Sequence, residues 1–398
     1  CIGLPGALPV PNKKAIEFIT LLAISTGCEI TSKGMFHRKN YFYPDLPKNY
    51  QISQFDLPVG LNGELEIVID ENKDYIQIER VHMEEDTGKS SHSGSGRIES
   101  ATSTALDFNR SGVPLVEIVT KPVISSSKQA VAYIEELRQL SIDLNISEGR
   151  LEKGNLRFDA NISVAPEDSN ELGTKVEIKN MNSLRSLERA IDFEIQRQTK
   201  ALEDGVEIVQ ETRHWDENKE VTSTMRSKEG SADYRYFSDP DLPNMFLSDE
   251  FIKEVETLMP VLPKAQREEL MTTGLTLSQS NILSKCDDWI KKLYVKVFDQ
   301  TKDSVASYNW ITGELQGQMR KANIEVLPEW FNDDYLSEII ELIKSNKISF
   351  TSAKIILTEI LTTETTPSKV AEQKNLFQEN DSEKISEMIN QIIQENQD

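Results

Sequence analysis

Two periodicities divide this chain. Up to about residue 240, short apolar or alternating runs are interleaved with amphipathic helical spacing, and beyond it the spacing is almost wholly helical. After Pro11, residues 13–26 place Ile16, Ile19, Leu22 and Ile24 broadly along one side, which predicts a helix. Residues 65–69 and 75–81, split by the polar run Asp70-Glu71-Asn72-Lys73-Asp74, predict a β-hairpin. Residues 87–104 are rich in serine and glycine and predict a loop. Gly94 and Gly96 lack the strand–loop–helix frame that a phosphate cradle needs. Helical spacing returns over 128–140, strands are expected over 158–164 and 174–179, and a long helix over 183–202 has Ser183 as its N-cap. Pro240-Asp241-Leu242-Pro243 punctuates the chain, and helices follow over 249–259, 264–272, 283–298, 334–345 and 382–395. Mixed strands followed by long helices predict an α+β class with a mixed or antiparallel sheet and an all-α carboxy-terminal region. No Gly-x-x-x-x-Gly-Lys-Ser/Thr run is present, so a nucleotide would be held without a P-loop.

Two glutamates stand out against this pattern. Glu117 interrupts the β-branched run Val113-Pro114-Leu115-Val116-Glu117-Ile118-Val119-Thr120, which reads as a buried strand. A carboxylate there needs a cation or hydrogen-bond donors facing it. Glu85 lies in Val81-His82-Met83-Glu84-Glu85-Asp86-Thr87-Gly88-Lys89, where the second hairpin strand should end. Strand alternation directs only one of Glu84 and Glu85 into any shared site. Acids at a strand end, a second acid in a neighbouring strand and cations close by are the elements of a magnesium–nucleotide site, whose ion takes octahedral oxygen ligands. The competing reading is an acidic surface turn and a structural ion pair.

Charge changes the picture of partners. The 398 residues carry 44 basic and 66 acidic side chains, a net charge of −22, which argues against non-specific nucleic-acid binding. Any RNA contact would have to be local, and Arg38–Lys48 and Arg226–Phe237 do interleave basic and aromatic residues suited to stacking and phosphate contact. The candidates there are Arg38, Lys39, Lys48, Arg226, Lys228 and Arg235, although Tyr41, Tyr43, Tyr234 and Tyr236 read equally well as core aromatics. Arg157 with Asp159, and Lys175 with Glu177 and Lys179, have the same-face spacing of a polar cleft or of a solvated sheet face. The scattered histidines, His82 among them, read as structural or exposed. Three widely separated cysteines, with no Cys-x-x-Cys pair, indicate a reducing, cytoplasmic setting, and no apolar run is long enough to span a bilayer.

An ordered set of longer segments resembles the B subunit family of the tRNA-dependent amidotransferase (GatB of GatCAB). It includes Leu4-Pro5-Gly6-Ala7-Leu8-Pro9-Val10, Arg38-Lys39-Asn40-Tyr41-Phe42-Tyr43-Pro44-Asp45-Leu46-Pro47-Lys48, Tyr50-Gln51-Ile52-Ser53-Gln54 and the two acidic segments. It continues through Leu156-Arg157-Phe158-Asp159-Ala160-Asn161-Ile162-Ser163, Gly173-Thr174-Lys175-Val176-Glu177-Ile178-Lys179-Asn180-Met181-Asn182-Ser183 and Asp233-Tyr234-Arg235-Tyr236-Phe237. The resemblance implies a glutamine-synthetase-like cradle over residues 1–245, a helical linker over 246–300 and a partial YqeY-like tail over 301–398. It also implies an ATP- and Mg2+-dependent ligase that activates the side-chain carboxyl of Glu-tRNA(Gln) or Asp-tRNA(Asn) as an acyl-phosphate, which ammonia then attacks. On that reading Glu85 and Glu117 hold the metal, and Arg157, Asp159, Lys175, Lys179 and Asn180 line the catalytic cleft. Lys89, Arg110, Arg157 and Lys179 would contact the nucleotide. The chain has no Ser-rich amidase signature, so the implied partners are an amidase-type glutaminase subunit (GatA) and a small subunit (GatC). The family's amino-terminal strand bearing a Glu and a His, and its closing Gly/Lys-rich segment, have no counterpart here, so the chain is expected to be truncated at both ends. Two rival readings remain open: a small-molecule carboxylate–amine ligase, and a non-catalytic tRNA-binding or assembly module.

Overall fold

A computed structural model describes residues 9–93, 102–169, 171–227 and 234–378. The chain forms two compact units, residues 1–263 and 264–398. The first is built around a four-stranded antiparallel sheet in the order Glu29–Ile30, Gly60–Ile69, Asn72–Glu85, Pro114–Thr120. The expected hairpin is its centre. Ile69 pairs with Asn72 across a two-residue turn in which Asp70 adopts φ 54°, a left-handed conformation that aspartate tolerates. One face of the sheet buries Ile67, Ile76, Ile78 and Val81 in a core shared with the helices Lys13–Ser25 and Ser127–Asp143. Gly63 is required for this packing, because a Cβ would press into Cys28 Sγ and sit 2.7 Å from the Thr26 carbonyl.

A second sheet, Ala160–Ile162, Val176–Lys179, Glu211–Asp216 and Val221–Ser227, is mixed: only its central pair is parallel. The helix Leu184–Glu203 packs on it through Leu187, Ala190 and Ile191, with Ser183 as its N-cap accepting from the Ser186 amide at 3.0 Å. A third, small sheet joins Phe237–Ser238, His37–Asn40 and Tyr50–Ser53. Between the predicted and observed elements the main differences are in edges and loops. The strand expected to end at residue 81 runs to Glu85. Part of the expected 87–104 loop is a two-stranded ribbon, Lys89–His92 with Thr104–Asp107, whose mostly polar residues suit a ribbon that buries little; residues 94–101 lie outside the described residues.

Residues 249–256 form a helix whose Val255 and Phe251 pack into the first unit's core, which carries that unit past the Pro240–Pro243 punctuation. The second unit is helical. The single helix expected over 283–298 is two, Leu277–Ser284 and Asp288–Thr301, parted at Lys285–Asp287. Asn309–Leu315 is wound as a π-helix with Trp310, Ile311 and Leu315 buried, and Asp334–Lys344 and Phe350–Thr362 complete the core through Leu336, Ile339, Ile356, Leu357 and Ile360. The helix expected over 382–395 lies outside the described residues. No helix among the described residues is long and apolar enough to cross a membrane.

Candidate functional site

The long strand Asn72–Glu85 leads into three consecutive acids, and its pleat sends consecutive side chains to opposite faces. His82 and Glu84 therefore share a face, and His82 pairs directly with Glu117 on the neighbouring strand. His82 Nε2 lies 3.6 Å from Glu84 Oε1 and 3.8 Å from Glu117 Oε2. One donor atom from each of the three residues falls within 4.8 Å of the others. His82 and Glu84 are 3% and 6% exposed, and His82 Nδ1 is buried without a hydrogen-bond partner. Glu117 differs from expectation. Its strand is the sheet's edge, and its side chain is 45% exposed rather than buried, so solvent meets one side of the carboxylate.

The small sheet covers this cluster. Lys39 and Gln51 are paired across its strands, as are His37 and Ser53, so Lys39, Gln51 and Ser53 project from one face. Ser53 Oγ donates to Glu84 Oε1 at 2.8 Å, Gln51 Nε2 donates to Glu84 Oε2 at 3.0 Å, and Lys39 Nζ stands 3.7 Å from Glu84 Oε1. Tyr234 lies under the Lys39 ammonium at 5.2 Å and meets Tyr41 and Tyr236 edge-on, while Phe55 stacks on Tyr236. Tyr41, Tyr234 and Tyr236 are half-buried and wall this polar cluster rather than sitting in a core, and Tyr43 is exposed. Burial acts to raise the Glu84 carboxyl, but His82, Lys39 and Ser53 outweigh it and hold the group below its ordinary value. Burial likewise works against the Lys39 ammonium, yet Glu84, Tyr236, Glu117 and Tyr234 keep it above its ordinary value. Burial pushes the Tyr41 and Tyr236 hydroxyls up.

The structure brings Glu117 together with Glu84, not with Glu85. Glu85 is held beside the cluster instead, where Lys48 pairs with it and the Ile52 amide donates to its Oε1 at 2.8 Å. The pleat decides this, as adjacent residues cannot both face Glu117. Sequence reasoning weighed Glu84 only as the alternative to Glu85 and read His82 as structural or exposed. Their signal was the His-x-Glu spacing on one strand face, legible only once the register opposite Glu117 is known.

The remaining candidates separate into three settings. Around Asp86, Arg157 Nη2 lies at 2.7 Å and Arg110 Nε at 3.3 Å from the same carboxylate oxygen, while Arg110 also donates to the Thr87 and Gly88 carbonyls. On the second sheet, Lys179 bridges Asp159 at 2.7 Å and Glu177 at 3.2 Å; burial opposes its charge, but those two acids raise it above its ordinary value. Asn180, at φ 66°, shares a 2.8 Å hydrogen bond with His214 Nδ1. Lys175 and Lys89 are exposed, Lys175 just before its strand and Lys89 on the ribbon.

Of the expected RNA contacts, Arg38 is held inside the fold. It pairs with Asp239 at 2.8 Å and Asp241 at 2.9 Å and lies 4.4 Å over Tyr50. Lys39 faces inward to Glu84, and Lys48 is engaged by Glu85. Arg235 is exposed with φ 46°, Arg226 lies on the strand Val221–Ser227, and Lys228 lies outside the described residues.

An α+β unit that concentrates two carboxylates, an imidazole and an ammonium under an aromatic wall has the side chains of an enzyme handling anionic substrates. Comparison with known proteins agrees. The GatB/GatE catalytic domain family matches residues 1–253, and the GatB domain family matches residues 292–398. Proteins named as the B subunit of aspartyl/glutamyl-tRNA(Asn/Gln) amidotransferase are similar over nearly the whole chain. The one from Acaryochloris marina is 41% identical over 99% of this chain and 81% of its own length, and the one from Trichodesmium erythraeum is 42% identical over the same shares. The Thermotoga maritima relative is 41% identical over 100% of this chain and 82% of its own. The chain belongs to the GatB family.

Proposed function

We propose that this chain is the subunit that amidates the side-chain carboxyl of Glu-tRNA(Gln), Asp-tRNA(Asn) or both, yielding Gln-tRNA(Gln) or Asn-tRNA(Asn) for translation. The family assignment supports the overall reaction, and the His82–Glu84–Glu117 cluster is the observation that carries its chemistry. In this reading the substrate carboxylate attacks the γ-phosphorus of ATP, ADP leaves, ammonia attacks the acyl carbon, and phosphate departs. No enzyme nucleophile is needed, because the substrate supplies it.

The donor set suits a divalent cation. Two carboxylates and an imidazole stand at 3.6 and 3.8 Å, too far for direct hydrogen bonds, and His82 Nδ1 has no partner of its own. Glu84 and Glu117 would hold Mg2+, with His82 the third donor. When bound, the ion neutralises phosphate oxygens as charge builds on them. Ser53 and Gln51 fix the Glu84 carboxylate, and Tyr234 and Tyr236 flank the Lys39 ammonium that faces it. Arg110, Arg157 and Lys179 would exchange their acids for the phosphates or the substrate carboxylate, with Lys89 and Lys175 as exposed cations and Asp159 and Asn180 at the rim.

The same reading takes residues 1–245 as a glutamine-synthetase-like cradle, 246–300 as a linker and 301–398 as a YqeY-like tail. Ammonia would come from an amidase-type glutaminase subunit (GatA), with a small subunit (GatC) completing the complex. The test is reconstitution: this chain with both partners, Glu-tRNA(Gln), glutamine, ATP and Mg2+, followed by release and identification of the esterified amino acid. Glutaminyl ester that requires ATP, and for which ammonium chloride can replace the glutaminase, is the expected result. Glutaminyl ester formed equally without ATP, or no amide with either Glu-tRNA(Gln) or Asp-tRNA(Asn), would overturn the reading.

A further inference from the structure

Lys39 is in an unusual position for a lysine. Its side chain is 21% exposed, and its ammonium faces a 6%-exposed glutamate at 3.7 Å, beyond hydrogen-bond range. It also lies 5.2 Å from the centroid of the Tyr234 ring. Glu84 already has a donor on each oxygen, Ser53 on Oε1 and Gln51 on Oε2. The ammonium therefore does not complete a hydrogen-bond set; it supplies positive charge. It does so beside the carboxylate that, with Glu117 and His82, forms the cation-binding cluster. Two like-signed ions a few ångströms apart beside the buried Glu84 carboxylate repel each other.

We propose that Lys39 is a tethered competitor for the divalent ion: its ammonium compensates Glu84 before the ion enters and lowers the cluster's affinity for a bare ion. A polyanionic ligand would relieve the repulsion by pairing with the ammonium, so that ion and polyphosphate bind the cleft with positive coupling. The long four-carbon stem lets the charge swing toward such a ligand, which a guanidinium fixed in a planar fork does less readily. The inference rests on the reading that a divalent ion binds at His82, Glu84 and Glu117.

The experiment measures Mn2+ binding to the full chain by electron paramagnetic resonance, without nucleotide. Lys39→Met and Lys39→Gln should each bind Mn2+ about tenfold or more tightly than wild type, as expected for removing a unit charge at this range. Lys39→Arg, which keeps the charge, should stay near the wild-type affinity. Two neutral variants, checked for folding by circular dichroism, guard against one that misfolds. Unchanged or weakened binding in both folded neutral variants would overturn the proposal. Glu117→Gln separates the two levels: it should remove the tight site. If it does not, the ion binds elsewhere and the cluster reading fails whatever the lysine variants show.

Discussion

The adjacent acids Glu84 and Glu85 allow the site to be tested by neutralising one at a time. Glu84→Gln keeps the shape but removes the charge facing Lys39 at 3.7 Å, and an amide can accept from only one of the Ser53 and Gln51 donors. One buried donor left without its acceptor and a half-buried ammonium without its counter-charge should cost about 1–3 kcal/mol of stability, small enough for the unit to fold. Loss of a metal-bearing carboxylate should cost the chemical step far more. A factor of about 1,000 in kcat corresponds to about 4 kcal/mol of transition-state stabilisation. Glu85→Gln removes the charge that pairs with Lys48, while its amide oxygen can still accept from the Ile52 N–H, and should lower kcat by less than about tenfold. The assay is tRNA-stimulated ATP hydrolysis by the assembled complex, with thermal melts alongside to separate folding from turnover. Turnover of Glu84→Gln within about fivefold of wild type, alongside an inactive Glu85→Gln, would refute the assignment.

Glu84 also predicts a pH signature. Its folded value lies below the ordinary 4.5, so its contribution to stability is fully present above that pH and is lost as pH falls through the folded value. The stability gap between wild type and Glu84→Gln, read from denaturant melts, should be constant above about pH 5 and close in more acid buffer; a gap that widens there contradicts the assignment. Arg38→Ala leaves the 2%-exposed Asp239 side chain without its partner and should cost about 3 kcal/mol, so any loss of tRNA binding should come with a lowered melting temperature. Lost tRNA affinity at unchanged stability would restore Arg38 as an RNA contact. Asn180 sits at φ 66°, so Asn180→Val should cost about 1–2 kcal/mol and Asn180→Gly less, and the opposite order would show that backbone strain does not govern this position.

The fold was legible where one pattern dominated. The 65–81 hairpin, the Ser183-capped helix and the helical second half follow from period-two alternation, an N-cap and period-3.6 spacing, all local signals. What local pattern could not supply was register. Glu117 read as buried because its neighbours are β-branched, but an edge position leaves its side chain open, and edge or centre is decided by the whole sheet. Choosing between Glu84 and Glu85 required knowing which residue of the long strand stands opposite Glu117, and a one-residue slip inverts that answer. Lys39 and Arg38 looked like surface cations because nothing local shows that Glu84 and Asp239, distant in sequence, come to face them.

Phosphorylation of the substrate's own carboxylate before ammonia arrives is the step on which the proposed chemistry stands or falls, and isotope transfer reads it out. Glu-tRNA(Gln) carrying 18O in the glutamyl side-chain carboxyl would be given to the complex with unlabelled ATP, and the released inorganic phosphate analysed by mass spectrometry. Attack by the carboxylate on the γ-phosphorus, followed by cleavage of the acyl carbon–oxygen bond, predicts one 18O per phosphate for every amide formed. Amide formation that leaves the phosphate unlabelled would contradict this order of steps.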